Sequence, residues 1–236
     1  MVVFMHGRHN ICYNPDNNSL SLEWPCNPPF ESIPNYRGYD YIAKVLASHG
    51  FIVVSVSTNG IIRSEDQQNI FGGRLVPDFG MSARAELLQR HLAIWEELND
   101  DGFVDEVGFS PFDTRFVGKV DLSNVGTMGH SRGGEGVIRH FILNGEQGSP
   151  YRIRAVMPLA PVDFNRFVIN NVPTAILLPY CDGDVFELNG VHYYDDTRYN
   201  VVNDVAPKHA ILVMSVSSHR NINACINKIL TPKVRI

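Results

Sequence analysis

The stretch Val125-Gly126-Thr127-Met128-Gly129-His130-Ser131-Arg132-Gly133-Gly134-Glu135-Gly136 restricts the fold more than any other part of the chain. Residues 125–128 are an apolar run, Gly129-His130-Ser131-Arg132-Gly133 is a tight turn, and residues 137–143 follow a helical pattern. A strand that turns directly into a helix must bring the two backbones very close. Gly129 and Gly133, two positions either side of Ser131, lack the side chains that would block that approach. A serine at such a tip sits on strained backbone with its oxygen above the sheet edge. The helix behind it aims free N–H groups and a positive dipole end at the same place. Gly-x-Ser-x-Gly also arises by chance, so the flanking elements and the rest of the chain decide what it means.

The surrounding text alternates between short apolar runs and helical stripes. Residues 2–5 are a short continuous apolar run, the pattern of a strand buried on both faces, 51–56 read as a second buried strand, and 153–159, 174–178 and 210–216 read as further strands. Tyr39, Ile42, Ala43, Leu46 and Ala47 recur at helical spacing, ended by His49-Gly50. Met81, Ala85, Leu88, Leu92 and Trp95 form a second stripe of core-packing character, with His91 beside it as a surface or packing residue. A weaker helical pattern passes through Ile222, Cys225, Ile226 and Leu230. Residues 9–35, 58–80 and 100–121 are polar and aperiodic and read as loops or excursions. Strands alternating with helices specify an α/β fold: a mainly parallel sheet of about six strands with helices on both faces. No repeat, linker or large cap interrupts it, so residues 1–236 read as one domain. The loop at 9–35 follows the first strand's C-terminal end, where such sheets bind ligands.

Composition removes several function classes. The net charge is −5, which offers no footprint for a phosphate backbone, so no nucleic-acid partner is expected. No apolar run nears the roughly 20 residues that span a bilayer. Residues 1–5 run straight into His6-Gly7 with no basic start or cleavage-like site, so no signal peptide is read. The chain opens inside a core strand, which leaves two expectations: a minimal domain, or a longer protein extending before Met1.

A serine hydroxyl becomes a useful nucleophile when a histidine takes its proton and a carboxylate orients that histidine. In the α/β-hydrolases, which the Gly129-His130-Ser131-Arg132-Gly133 turn resembles, the chain order is serine, acid, histidine, with the last two on loops after later strands. Asp182 stands just past the run at 174–178, with Val185 at Asp-x-x-Val spacing; Asp184 is the alternative acid or a support for the loop. His219 follows the run at 210–216, and its other reading is a solvated loop histidine. The oxyanion site needs two N–H donors: Arg132, directly after Ser131, and Arg8, after the bend that Gly7 permits. The side chains of Arg8 and Arg132 are expected to face solvent or form salt bridges. For His130 the geometry of its neighbour matters more than its ring, and His140, His192 and His209 lack a strand-end position. No His/Asp/Glu/Cys cluster has metal spacing, and Asp195-Asp196 reads as a solvated acidic loop rather than a calcium site. No cofactor is expected.

Taken together, His6-Gly7, Gly129-His130-Ser131-Arg132-Gly133-Gly134, Asp182-x-x-Val185 and His219 make the chain resemble an α/β-hydrolase over nearly its whole length. The nearer similarity is to the dienelactone-hydrolase, chlorophyllase-like and cutinase-like polyester hydrolase branch. The resemblance implies a carboxylic-ester hydrolase that works through an acyl-enzyme on a small-molecule or polymeric ester. The chain departs from that branch in its missing first strands, its short segment after His219, and Ser217-Ser218 where Gly or Asn is commoner. A peptidase, amidase or acyltransferase keeps the same machinery, and a non-catalytic binding protein keeps only the fold.

Cys12 and Cys26 share the first loop, where a bridge would close a short ring and order it. The resemblance also implies a bridge between Cys181 and Cys225, tying the acid loop to the base loop. Free buried thiols in a reducing compartment are the alternative, and a bridged first loop points to an exported protein. Trp24, Pro25, Phe30, Tyr36, Phe71 and Tyr180 are candidate walls of the substrate cleft or packing residues for the loops.

Overall fold

The computed structural model describes residues 1–70, 78–110, 112–185 and 187–214, with side chains of 66–70 excepted. Six strands form one parallel sheet: β1 (Val2–Met5), β5 (Val53–Val56), β6 (Val125–His130), β7 (Ile153–Leu159), β8 (Thr174–Pro179) and β9 (Lys208–Val213). Their spatial order is β5-β1-β6-β7-β8-β9. Between β1 and β5 come three two-residue strands, β2 (Cys12–Tyr13), β3 (Leu20–Ser21) and β4 (Glu31–Ser32), which pair as a separate antiparallel sheet. The helices are α1 (Asp40–Ser48), α2 (Asn59–Ile70), α3 (Met81–Asp100), α4 (Arg132–Glu146) and α5 (Val191–Asn200). The fold is α/β, with no large cap.

Strand order determines which faces are covered. The chain leaves β1 in one direction for β5, then returns past β1 to β6 and continues outward to β9. Right-handed crossovers therefore put α1 on one face and α3, α4 and α5 on the other. The reversal falls between β1 and β6, the position at which open α/β sheets place their ligands, beyond the C-terminal ends of the strands. Register makes this concrete: Met5 pairs with Gly129, which sets His6-Gly7 beside His130-Ser131.

The core follows the apolar periodicity. On α3 the residues Met81, Ala85, Leu88, Leu92, Trp95 and Leu98 are all buried, at the spacing of one helical stripe. Leu88 and Leu92 are fully enclosed, each worth roughly 1.5–3 kcal/mol of removed apolar surface. Trp95 extends the core into the 100–121 loop by packing on Phe112 and Phe116, with ring centroids 5.8 and 5.0 Å away. α1 ends as its sequence requires, with Gly50 at φ +86° just beyond it.

Four expectations need correction. β5 and β9 are the edges of the described sheet, and only Val56 of β5 and no residue of β9 is buried, because each has one strand neighbour there. The stretch beginning at Thr58 is largely helix α2, whose Glu65 is a buried charge that apolar periodicity does not register. The loop at 9–35 is ordered by the small sheet, the Cys12–Cys26 disulfide and a second apolar cluster of Ile11, Cys12 and Ile62. Asp195-Asp196 lies on α5, where Asp196 takes a two-pronged contact from Arg166 at 2.7 and 3.0 Å. Among the described residues no helix is long and apolar enough to cross a membrane, and no group of three or more His, Cys, Asp or Glu could hold a metal ion. The helical pattern through Ile222 and Leu230 lies outside the described residues.

Candidate active site

Ser131 joins β6 to α4 with φ 54° and ψ −122°, a conformation that residues with a Cβ rarely adopt. Its N–H donates to the Leu159 carbonyl at 3.0 Å. Its own carbonyl accepts the Gly134 and Val162 N–H groups at 2.9 and 3.3 Å. The strain is held by glycines: a Cβ on Gly129 would collide with the Gly133 carbonyl, and one on Gly133 would lie 2.5 Å from the Met5 carbonyl oxygen. α4 begins at Arg132 with no side-chain cap on its first N–H groups. Those orphan donors sit beside Ser131 and suit a developing negative charge.

The loop after β1 closes the other side. A Cβ on Gly7 would lie 2.7 Å from Ser131 Cβ and 3.0 Å from the His130 carbonyl oxygen, so only glycine fits here without a shift. His6 fixes the bend. Its Nε2 accepts the Thr58 N–H at 2.9 Å, so Nδ1 carries the proton and donates to the Gly7 carbonyl at 2.8 Å. Burial drives the His6 pKa down to about 4, outweighing that backbone bond, which pulls upward. The His9 ring stacks between His6 and His130, at 6.0 and 5.8 Å. Arg8 is exposed at the bend just past Gly7.

A charged cluster lies behind the turn. Glu65 is 5% exposed and accepts from two guanidinium groups, Arg84 through Oε1 and Arg132 through Oε2 at 2.7 Å. Arg84 is wholly buried, and among the described residues its Nε and Nη2 have no hydrogen-bond partner. The Arg132 guanidinium also lies 5.4 Å from the centre of the Phe164 ring, in cation–π range. Its side chain is thus salt-bridged, one of the two expected arrangements. Phe164 packs against Phe79 with ring centroids 4.6 Å apart and planes tilted by 40°, and both rings are partly exposed.

Glu135, one turn into α4, is fully buried beneath the loop after β7. Its carboxylate accepts the N–H groups of Phe164 and Asn165 and the Asn165 amide at 2.9–3.1 Å. Burial raises its pKa to about 6, with Asp163 adding to the rise and the three donors opposing it. Desolvation outweighs both the bonds and the helix dipole.

Asp182 follows β8, two strands from the elbow, and is completely buried; Asp184 is exposed. Asp182 Oδ1 accepts the N–H groups of Asp184 and Val185 at 2.9 and 3.1 Å, which explains the Asp-x-x-Val spacing as a turn closed on the carboxylate. His219 lies outside the described residues, as do Ser217, Ser218, Cys225 and Phe71. Cys12 and Cys26 are bridged, with Cα atoms 5.8 Å apart, and Cys181 is disulfide-bonded as well. Of the candidate wall residues, Phe30 packs into the small cluster under the first loop, whereas Trp24 and Tyr36 are exposed.

The structure thus brings Ser131, Arg132, Gly7 and Arg8 together at the C-terminal ends of β1 and β6, and Asp182 follows the C-terminal end of β8. Glu65, Arg84 and Glu135 carry no signal in a sequence reading built on apolar periodicity, because each is a charge buried by a partner distant in the chain. No protein-family model matches the chain, and no curated protein matches it either.

Proposed function

We propose that the protein is a serine hydrolase of the α/β-hydrolase kind that cleaves carboxylic esters through an acyl-enzyme. The observation that carries this reading is the strained backbone of Ser131, held by glycine contacts at the junction of a strand and an uncapped helix N-terminus. Strain of this kind costs about 1–3 kcal/mol and persists only where the surroundings enforce it. Orienting a nucleophile toward orphan N–H donors accounts for that enforcement.

In the proposed reaction Ser131 Oγ attacks the ester carbonyl carbon while His219 takes the hydroxyl proton. The carbonyl π pair moves to oxygen, giving an oxyanion that accepts the N–H groups of Arg132 and Arg8. The tetrahedral carbon then expels the alkoxide, which receives the proton from His219. Water deprotonated by His219 attacks the acyl carbon, and the serine leaves with that proton. Asp182 holds the histidine in the required tautomer; the two N–H groups that its Oδ1 accepts fix the orientation of its carboxyl group. Asp184, exposed beside it, supports the same turn.

Hydrolysis of p-nitrophenyl esters of graded chain length, run beside polyester films and anilides, tests the reading. Ester turnover lost in Ser131→Ala, with fluorophosphonate attached at Ser131 in the unmutated protein, is the expected result. Undiminished turnover in that variant means that another nucleophile acts. Preferential cleavage of anilides moves the assignment to an amidase.

A further inference from the structure

The first N–H of a helix has no partner within the helix, so its direction is set by what holds the peptide unit that carries it and the residue that follows. Arg132 is that residue; the peptide joining it to the strained Ser131 is held through the Ser131 carbonyl, which accepts from Gly134 and Val162 at 2.9 and 3.3 Å, and through the Arg132 side chain. From the strand side, the Ser131 N–H is tied to Leu159. From the helix side, Glu65 grips the Arg132 side chain at 2.7 Å, and Glu65 is itself held by the wholly buried Arg84.

We propose that Glu65 is a positioning residue: through the Arg132 guanidinium it fixes the Arg132 N–H that receives the oxyanion. The inference rests on the hydrolase reading. One carboxylate faces two guanidinium groups here, and its removal leaves two like charges close together in a shielded site. Arg84 has no exposed side-chain surface and cannot leave, whereas the Arg132 side chain is 22% exposed and has a way out to solvent. Loss of the Glu65 charge therefore releases Arg132 in particular. A displacement of a fraction of an ångström is enough to spoil an oxyanion donor.

The test uses the full chain and counts active sites by fluorophosphonate titration. Failure of the unmutated protein to label at Ser131 overturns the hydrolase reading itself; labelling leaves the remaining measurements to bear on Glu65 alone. Glu65→Gln is expected to lower kcat per titrated site on the order of tenfold or more, with KM changed less than about threefold. Arg132→Met keeps the backbone N–H and leaves Glu65 and Arg84 as a neutral pair, so it folds even if Glu65→Gln does not, and it should show the same loss. In the double variant the second substitution should add nothing. Unchanged kcat per site in Arg132→Met, or fully additive losses in the double variant, overturns the proposal.

Discussion

Gly7 and Ser131 touch so closely that a single methyl group on Gly7 would lie 2.7 Å from Ser131 Cβ. The first loop and the elbow are therefore fitted to one another through the missing side chain. Gly7→Ala must push the bend away from Ser131, carrying the Arg8 N–H with it. Activity on p-nitrophenyl esters should fall about 10²-fold in kcat, the cost of losing one oxyanion donor. Circular dichroism should stay that of the unmutated protein. Retention of full kcat would remove the first loop from the oxyanion site.

The strain at Ser131 separates two substitutions that both delete the hydroxyl. Ser131→Ala keeps a Cβ at φ 54° and should match the unmutated protein in stability. Ser131→Gly relieves the conformation, and after the extra chain entropy of glycine it should be more stable than Ser131→Ala by about 1 kcal/mol. Denaturant titration of both variants measures the difference. Equal midpoints would mean that the turn is not strained.

Stability should depend on pH through three buried groups. His6 and His140 have folded pKa values of about 4, below the ordinary 6.5. Each therefore contributes stability that is complete above pH 6.5 and is lost as pH falls toward 4, by up to ~3 kcal/mol. Glu135 works in the opposite sense. Its folded pKa of about 6, against 4.5, gives stability that is present below pH 4.5 and lost as pH rises through 6, about 2 kcal/mol. Unfolding free energy should climb from pH 4 to 6.5, and Glu135→Gln should steepen that climb and raise the plateau. A flat profile would show that the histidines are not held neutral.

The Cys12–Cys26 bridge closes a ring with a sequence separation of 14 residues, for which chain entropy gives about 3 kcal/mol. Replacing both cysteines by serine should expose residues 12–32 to limited proteolysis while the parallel sheet stays protected. Mass spectrometry of the fragments checks this. Cleavage beginning within β6 or β7 would mean that the loop supports the core directly.

The strands and the stripe on α3 were legible because each is a run of apolar residues with a definite period. The turn at Ser131, the Asp182 turn after β8 and the Gly7 bend were legible because glycine spacing and position after an apolar run mark each in the sequence. α2 was not: Asn59–Ile70 has few apolar residues, and its Glu65 is buried by Arg84 and Arg132 rather than by an apolar face. Glu135 escaped notice for the same reason, since its donors come from Phe164 and Asn165. A buried ion pair is a property of two distant positions, and no window along one segment contains it. The edge position of β5 belongs to the same class, because strand order is written in no single strand.

The pairing of Met5 with Gly129 also sets a timetable for the nascent chain. β1 leaves the ribosome long before β6 exists, and of its two neighbours in the described sheet only β5 is made in the meantime. One flank of Val2–Met5 stays bare until the elbow emerges, inviting strands of other molecules in the interval. A chaperone that shields early apolar segments would thus govern how much of this protein reaches its finished form.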